Sequence, residues 1–538
     1  MIFLHYQSKI NLKWIIVVLI LFGSTLMFNN ISPLEDTKNE LSSQYASKAN
    51  LGNSPLAWDW YRTWNTENWD TSYDILNDSK NNIYILGESS YPLVLLKFDR
   101  SGNYIYSKNF SGFDNVKYYD PSFSIDSNDD IFIVRKNLLI KLNSVGEIIW
   151  YKYIAGYQLE LYGIAIDETD YIYLTGSTGA SLILIKLNNS GEELWNATWC
   201  GPHGNCGHDI AFDNSGNPIV TGETNSFYNW WDMLYNSDIP IIKFDKYGNL
   251  LWNVTWRSPY TFGGCCDTEN PFIIYRYACG NSITIDSNNN IFITGFSRWY
   301  PLILCYNQSV GNFWYNHVNT DGEGKHIKID TDQNLIVLAN YGISHRIDFL
   351  LLKYNKKGEQ LWNRTWGEND YDIASKMTLL SSTELFAAGW IYNYTDDTSH
   401  AAIILLKFGE DSDDDRISNF NENNLYHTNP FNNDTDDDQL SDYDELFMYQ
   451  TNPKKNDTDD DLLSDYAELF FYKTNPNKQD TDGDGFSDYQ EIFEYTTDPN
   501  NNLSNFKTNI TIGVSIVFIL IAIFYFLNKK INVVINWG

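Results

Sequence analysis

The stretch "DETDYIYLTGSTGASLILIKLNNSGEELWNATW", residues 167–199, holds most of one structural unit. An Asp-led polar turn, 167–170, runs into "YIYLTG", whose mix of β-branched and aromatic residues suits a half-buried strand. "LILIKL" follows, "NNSG" turns the chain, and "EELWNATW" returns; a polar turn ending in glycine between two such runs is a hairpin signal. With the strand leading into Asp167, the unit has four strands.

The unit recurs. Asp-led turns and their strands lie at 78–87, 126–134, 167–176, 213–222, 286–295, 330–339 and, degraded, 381–389. The second half recurs as "LLKFDRSGN", "LIKLNSVGEIIW", "IIKFDKYGNLLWNVTW" and "LLKYNKKGEQLWNRTW", and as "ILCYNQSVGNFW" with Cys305 in the lysine's place. A four-strand unit repeated every few tens of residues predicts propeller blades. The seventh copy stops at "ILLKF" (404–408) without its Trp strand, whereas "WDWYRTW" (58–64) stands alone at the other end. Trp60 and Trp64 there occupy the places of Trp195 and Trp199. The expected fold is therefore all-β: a seven-bladed β-propeller over 57–409, closed by an N-terminal strand so that no long edge stays open.

These repeats resemble the SBBP β-propeller repeat family of exported prokaryotic proteins. The resemblance implies the fold and leaves the chemistry open. It is weakest in the second blade, which lacks the Thr-Gly pair, and in the seventh.

Residues 410–500 differ in kind. They hold 26 acidic side chains against 5 basic ones, so most of the chain's net charge of −32 belongs to one module. That charge, with no basic stripe elsewhere, argues against nucleic acid as a partner. Four twelve-residue segments begin at 411, 434, 457 and 480, a constant step of 23. Each places oxygen donors at positions 1, 3, 5, 9 and 12, with a backbone carbonyl at 7, as a hard cation needing six to eight oxygens requires. The expected calcium ligands are Asp411, Asp413, Asp415, Ile417, Asn419 and Glu422; Asp434, Asp436, Asp438, Leu440, Asp442 and Glu445; Asp457, Asp459, Asp461, Leu463, Asp465 and Glu468; and Asp480, Asp482, Asp484, Phe486, Asp488 and Glu491. The pattern resembles bacterial thrombospondin type 3 repeats and the related EF-hand loop. At the sixth position only Gly485 matches; Arg416, Gln439 and Leu462 depart from it. Each repeat ends in Thr-Asn-Pro or Thr-Asp-Pro. A calcium-loaded stalk with short helices is expected.

Both ends are apolar. Lys9 and Lys13 precede an apolar run from Trp14 to Phe28, so 1–28 reads as a signal peptide or N-terminal membrane anchor, followed by a polar linker over 29–56. At the other end a linker at 501–508 leads to an uncharged stretch, expected as a transmembrane helix over 509–528. Lys529 and Lys530 place the tail, 529–538, on the cytoplasmic side. The expected location is the cell membrane, with propeller and stalk outside. Sequons at Asn77, Asn109, Asn188, Asn196, Asn253, Asn307, Asn363 and Asn393 suit a glycoprotein.

Strand alternation puts the Asp turns and the Gly turns on one face and the insertions on the other. The insertion at 224–238 carries Phe227, Tyr228, Trp230, Trp231 and Tyr235, which suit sugar stacking or a protein partner, or else cover the loop's own underside. The six cysteines predict disulfides in an external protein, with Cys200–Cys206 as one pairing. Cys200, His203, Cys206 and His208 are an alternative zinc set. No nucleophile elbow, HExxH or phosphate loop occurs, so the sequence leans away from an enzyme. The expected role is binding an extracellular glycan or protein. The alternatives are a structural envelope component, or an extracellular hydrolase or quinoprotein-like redox enzyme.

Overall fold

The computed structural model describes residues 56–502, apart from 67–68, 91, 114–119, 157, 202–203, 230–233, 260–261, 264–273, 276, 343–345, 368–370 and 393–400, together with 519–523. The segment at 1–28, nearly all of the 29–56 linker, and most of the 509–528 span lie outside the described residues. Residues 519–523 are helical with exposed apolar side chains, and no helix among the described residues is long and apolar enough to cross a membrane.

Seven four-stranded antiparallel sheets form a β-propeller. Blades 1 to 6 span 70–110, 122–153, 160–199, 206–256, 278–317 and 322–366. Blade 7 takes three strands from 371–410 and its fourth from Leu56–Trp64, which pairs antiparallel with Ala402–Glu410 from Leu56↔Glu410 to Trp64↔Ile403. The first strand of each blade touches the first strand of the next, and Tyr371–Leu379 returns to Asp70–Asn77. Ser375 donates there to the Ser72 carbonyl at 2.8 Å.

The core lies between blades. Ile336, Leu338 and Leu351 of blade 6 meet Met377, Leu385, Ala387 and Leu406 of blade 7, all buried. Each of the Ile, Leu and Met side chains contributes roughly 1.5–3 kcal/mol when fully buried.

The structure gives the two sequence patterns one cause. In the Asp turns, Oδ1 accepts from backbone N–H groups two and four residues on, as at Asp213 from Ser215 (2.8 Å) and Asn217 (2.9 Å). The other oxygen meets the lysine of the third strand: Lys243–Asp213 at 2.7 Å, Lys97–Asp78 at 3.2 Å and Lys353–Asp330 at 2.7 Å. Burial raises the Asp213 pKa, but Lys243 and the turn amides outweigh it and hold the carboxyl below its usual range. In blade 5, where Cys305 replaces the lysine, Lys356 from blade 6 reaches Asp286 at 3.3 Å instead.

The tryptophans couple neighbours. The Trp150, Trp195 and Trp314 rings each lie against the turn glycine of the following blade, at Gly191, Gly248 and Gly358. Trp60 of the N-terminal strand makes the same contact with Gly102 of blade 1, where an added Cβ would sit 2.1 Å from the ring.

In six blades the first strand is bulged at one equivalent place, at Tyr73, Tyr162, His208, Asn281, Lys325 and Ser375. The bulge brings backbone against the second strand. A Cβ at Gly176 would meet the Glu160 carbonyl at 2.0 Å, which explains the Thr-Gly pair. Blade 2 lacks both features. Its first strand is only Ser122–Ile125, and Arg135, at the glycine's position, turns to Glu88 of blade 1 at 3.1 Å.

Candidate functional site

The chain leaves blade 7 on the short-turn face, because Phe408 pairs with both Leu385 and Trp58 just before the acidic repeats begin. In each repeat the carboxylate oxygens of positions 1, 3 and 5 come within 4.8 Å of one another: Asp411, Asp413 and Asp415, then Asp434, Asp436 and Asp438, then Asp457, Asp459 and Asp461, then Asp480, Asp482 and Asp484. The loop closes on its first aspartate, which accepts from the position-6 amide, as in Gln439 N–H to Asp434 at 2.8 Å and Leu462 N–H to Asp457 at 2.8 Å. The side chains of Ile417, Leu440 and Leu463 at position 7 are buried, whereas Phe486 is half-buried.

A serine then caps a short helix: Ser418, Ser441 and Ser464 accept from the amides of Asn421, Asp444 and Ala467. The helix widens to π-type turns over Glu422–Tyr426, Glu445–Tyr449, Glu468–Tyr472 and Gln490–Tyr495, each ended by a left-handed residue. This places the position-12 glutamates. Glu422, Glu445, Glu468 and Glu491 are fully buried, and in each one oxygen accepts from the threonine of the following Thr-Asn/Asp-Pro, at 3.3, 3.2, 3.1 and 3.2 Å. The other oxygen has no hydrogen-bond partner. Thr428, Thr451, Thr474 and Thr497 are thus positioning residues whose recurrence was visible in the sequence and whose role was not.

Burial, then neighbouring carboxylates, pushes Asp415 up to about 9, Glu422 to about 8 and Glu468 to about 9. Buried anionic oxygens without partners, gathered on one side of a tight loop, match the donor set of a hard cation. Calcium bound there would be held by positions 1, 3 and 5 and the glutamate.

Position 9 departs from expectation. Asp442 accepts from the Thr435 amide (2.8 Å) and hydroxyl (2.7 Å) of its own loop, yet it forms a group with Asp415 and Glu422 of the preceding repeat. Asp465 is held by Thr458 in the same way, and Asp488 by Thr481. The backbone follows suit: the Tyr466 amide donates to Asp438 at 3.2 Å and the Tyr489 amide to Asp461 at 3.1 Å, both one repeat back. These contacts link successive repeats, and only three-dimensional stacking reveals them. The first repeat has no predecessor, and there position 9 is the neutral Asn419, bonded to Ser412. Aromatic pairs Tyr426–Phe447, Tyr449–Phe470 and Tyr472–Phe493 continue the stack at centroid distances of 5.9, 6.1 and 6.0 Å.

The first repeat is seated on the propeller. Arg364 of blade 6 donates to Asp414 at 2.6 Å and lies 3.8 Å from Asp411. Asn421 donates to the Trp58 carbonyl at 3.1 Å.

On the opposite face, the 224–238 insertion extends the blade 4 hairpin, with Phe227↔Asn236 and Tyr228↔Tyr235 in register. Trp230 and Trp231 lie outside the described residues. The structure adds an aromatic group at this face: Trp69 with Trp390 (6.3 Å) and Tyr392 (4.8 Å). Trp299, at a tight turn, is 62% exposed.

The expected Cys200–Cys206 bridge does not form; Cys200, Cys206, Cys279 and Cys305 are free. Cys200 follows the outermost strand of blade 3, whereas Cys206 begins the innermost strand of blade 4. Of the alternative zinc set, Cys200, Cys206 and His208 form no metal-holding group among the described residues. His203, Cys265 and Cys266 lie outside the described residues.

Residues 149–183 match the Beta-propeller repeat family SBBP, and residues 480–502 match the Bacterial TSP3 repeat. One segment of the seven-bladed propeller thus matches the SBBP repeat, and the last acidic repeat matches the TSP3 repeat. TSP3 repeats are of the calcium-binding type. No curated protein matches. Solved structures similar in shape include a protein of unknown function from Bacteroides caccae (11% identity, TM-score 0.35, covering 56% of this chain and 94% of that one). Others are a protein from Lactobacillus plantarum (10%, 0.40, 54% and 83%) and Drosophila Plexin A in complex with Semaphorin 1b (7%, 0.38, 66% and 88%).

Proposed function

We propose that this protein displays a β-propeller at the cell surface on a calcium-stiffened stalk. The N-terminal strand closes the ring, the 509–528 segment spans the membrane, and the insertion-bearing face points outward to bind an extracellular glycan or protein. The observation that carries the reading is the unpartnered, fully buried oxygen on Glu422, Glu445, Glu468 and Glu491. Calcium supplies positive charge at these oxygens. Asp442, Asp465 and Asp488 bring the next repeat's charge to the first three sites, so filling them would tie repeat to repeat. That coupling suits a spacer better than a switch. Exposed aromatics at Trp69 and Trp299 support a binding role for the outer face.

The test is a calcium titration of the full-length protein in detergent, read by calorimetry, small-angle scattering and protease cleavage within 411–500. The reading expects saturable binding at millimolar calcium or below, a stiffer particle and protection of the repeats. Protease sensitivity and scattering unchanged by calcium would overturn it.

A further inference from the structure

Three blades end in the same five-residue pattern. Residues 195–199, 252–256 and 362–366 each read Trp-Asn-x-Thr-Trp, on the outermost strands of blades 3, 4 and 6. The asparagines share one register: Asn196 pairs with Ile185, Asn253 with Ile242 and Asn363 with Leu352. At that register blades 2 and 5 and the closing strand place Tyr151, Tyr315 and Tyr61. The position therefore accepts a strong strand former, whereas asparagine is depleted from strands. Sheet formation does not account for its recurrence.

Nor do contacts account for it. Asn196 and Asn253 are exposed. Among the described residues the Asn253 side chain makes no hydrogen bond, and that of Asn196 donates to the exposed Glu193 at 2.7 Å. Other sequon asparagines are occupied. Asn188 closes a turn by accepting from the Ser190 and Glu192 amides at 3.0 and 2.9 Å, Asn307 accepts from the Ser309 amide at 2.9 Å, and Asn77 accepts from Thr378 of blade 7 at 2.6 Å. Asn363 is half-buried beside Arg364, which holds the first acidic repeat through Asp414.

Residues two apart on a strand share a face, so Thr198 lies on the side of Asn196 and Thr255 on that of Asn253. Thr198 is exposed and Thr255 half-buried. A solvent-facing amide with a hydroxyl two residues on is the acceptor pattern of N-linked glycosylation. Each outermost strand pairs on one side only, and Leu194, Leu250 and Leu251 on these two strands are half exposed. A free edge carrying apolar side chains invites pairing with another chain.

We propose that Asn196 and Asn253 carry N-linked glycans that cover the free edges of blades 3 and 4. The inference rests on the extracellular placement proposed above. The donor is a lipid-linked oligosaccharide diphosphate, used by a membrane transferase. Asn Nδ2 bonds to the sugar C1, the C1–O bond to the diphosphate breaks, and Nδ2 gives up one proton.

Glycopeptide mass spectrometry of the full-length protein from its native membranes tests this, with protease shaving of intact cells to locate the propeller. Sugar is expected on the Asn196 and Asn253 peptides and not on those of Asn77, Asn188 and Asn307. Thr198→Val with Thr255→Val keeps both asparagines and the strands but should abolish both modifications. Sedimentation should then show self-association that the parent lacks, with an unchanged melting curve separating association from misfolding. Unmodified Asn196 and Asn253 on a propeller that shaving removes would overturn the proposal and leave the surface reading standing. Unmodified residues on a propeller that shaving cannot reach would remove both. Sugar on Asn188 or Asn307 instead would overturn the choice of sites, and loss of both glycans without self-association would overturn the edge-covering role.

Discussion

Propeller and stalk are both repeat arrays, but they hold their repeats together with opposite materials. Blades join through buried apolar side chains, and their carboxylates find lysines within the chain, as Asp213 finds Lys243. The acidic repeats gather carboxylates that the chain leaves largely unneutralised: 26 acidic side chains against 5 basic ones across 410–500. Arg364 is an exception, and it comes from the propeller. One array carries its counter-charges in its sequence; on the proposed function the other takes them from solution. The first should therefore be indifferent to calcium and the second governed by it.

Chelation gives the largest expected contrast. Each site filled at free calcium about 100 times its dissociation constant stabilises the folded stalk by about 2.7 kcal/mol, so removal across four loops should abolish its protease resistance. The propeller's β-sheet circular dichroism and melting should not move. A common loss of both would show that the arrays fold as one unit.

Within the propeller, the joint that most resembles an added part is the N-terminal strand. Trp60→Ala should cost about 3 kcal/mol of propeller stability in urea, with or without calcium, because it removes the ring packed on Gly102. Lys243→Met should cost a similar amount, about 3 kcal/mol, since it leaves Asp213 buried without its cation. Chelation should change neither value.

The stalk's response to pH should run opposite to that of an ion-paired protein. Burial and neighbouring carboxylates raise Glu445 from 4.5 to about 9 and Asp411 from 3.8 to about 7 without metal. The metal-free folded repeats then bind more protons than the unfolded chain. Their stability is fully present below about pH 4 and falls as pH rises toward 7 to 9. Calcium affinity should rise over the same window, with proton release measurable by calorimetry in buffers of different ionisation enthalpy. Glu445→Gln should stabilise that repeat without calcium and weaken its calcium binding by roughly tenfold.

The parts legible in the sequence are those that repeat because they serve the repeat itself. The blade count follows from the Asp turns and Trp strands, and the stalk from the step of 23. Residues facing the propeller axis or the next unit follow no such rule. Arg135 and the bulge series Tyr73, Tyr162, His208, Asn281, Lys325 and Ser375 differ from blade to blade, so periodicity cannot find them. The position-9 aspartates were visible as donors, but the distances that bring them near the preceding repeat exist only in the stack. Asn419, at the one copy without a predecessor, was the available clue.

The smallest effect tests whether loop geometry or charge limits the stalk. Arg416, Gln439 and Leu462 hold φ of 80°, 85° and 85°, the left-handed region that Gly485 occupies at 95°. A side chain there costs roughly 1 kcal/mol relative to glycine. Gln439→Gly should relieve that strain in the folded loop, although glycine's greater freedom in the unfolded chain returns part of the gain. The expected net stabilisation of the calcium-loaded stalk is about 0.5 kcal/mol, read from chemical denaturation at saturating calcium. The fourth repeat has the glycine but no following repeat to lend it an aspartate. If Gln439→Gly strengthens calcium binding at the second repeat, which already has Asp465 beside it, backbone strain limits the loop. If affinity does not change, charge sets it, and the fourth site should be the weakest despite Gly485.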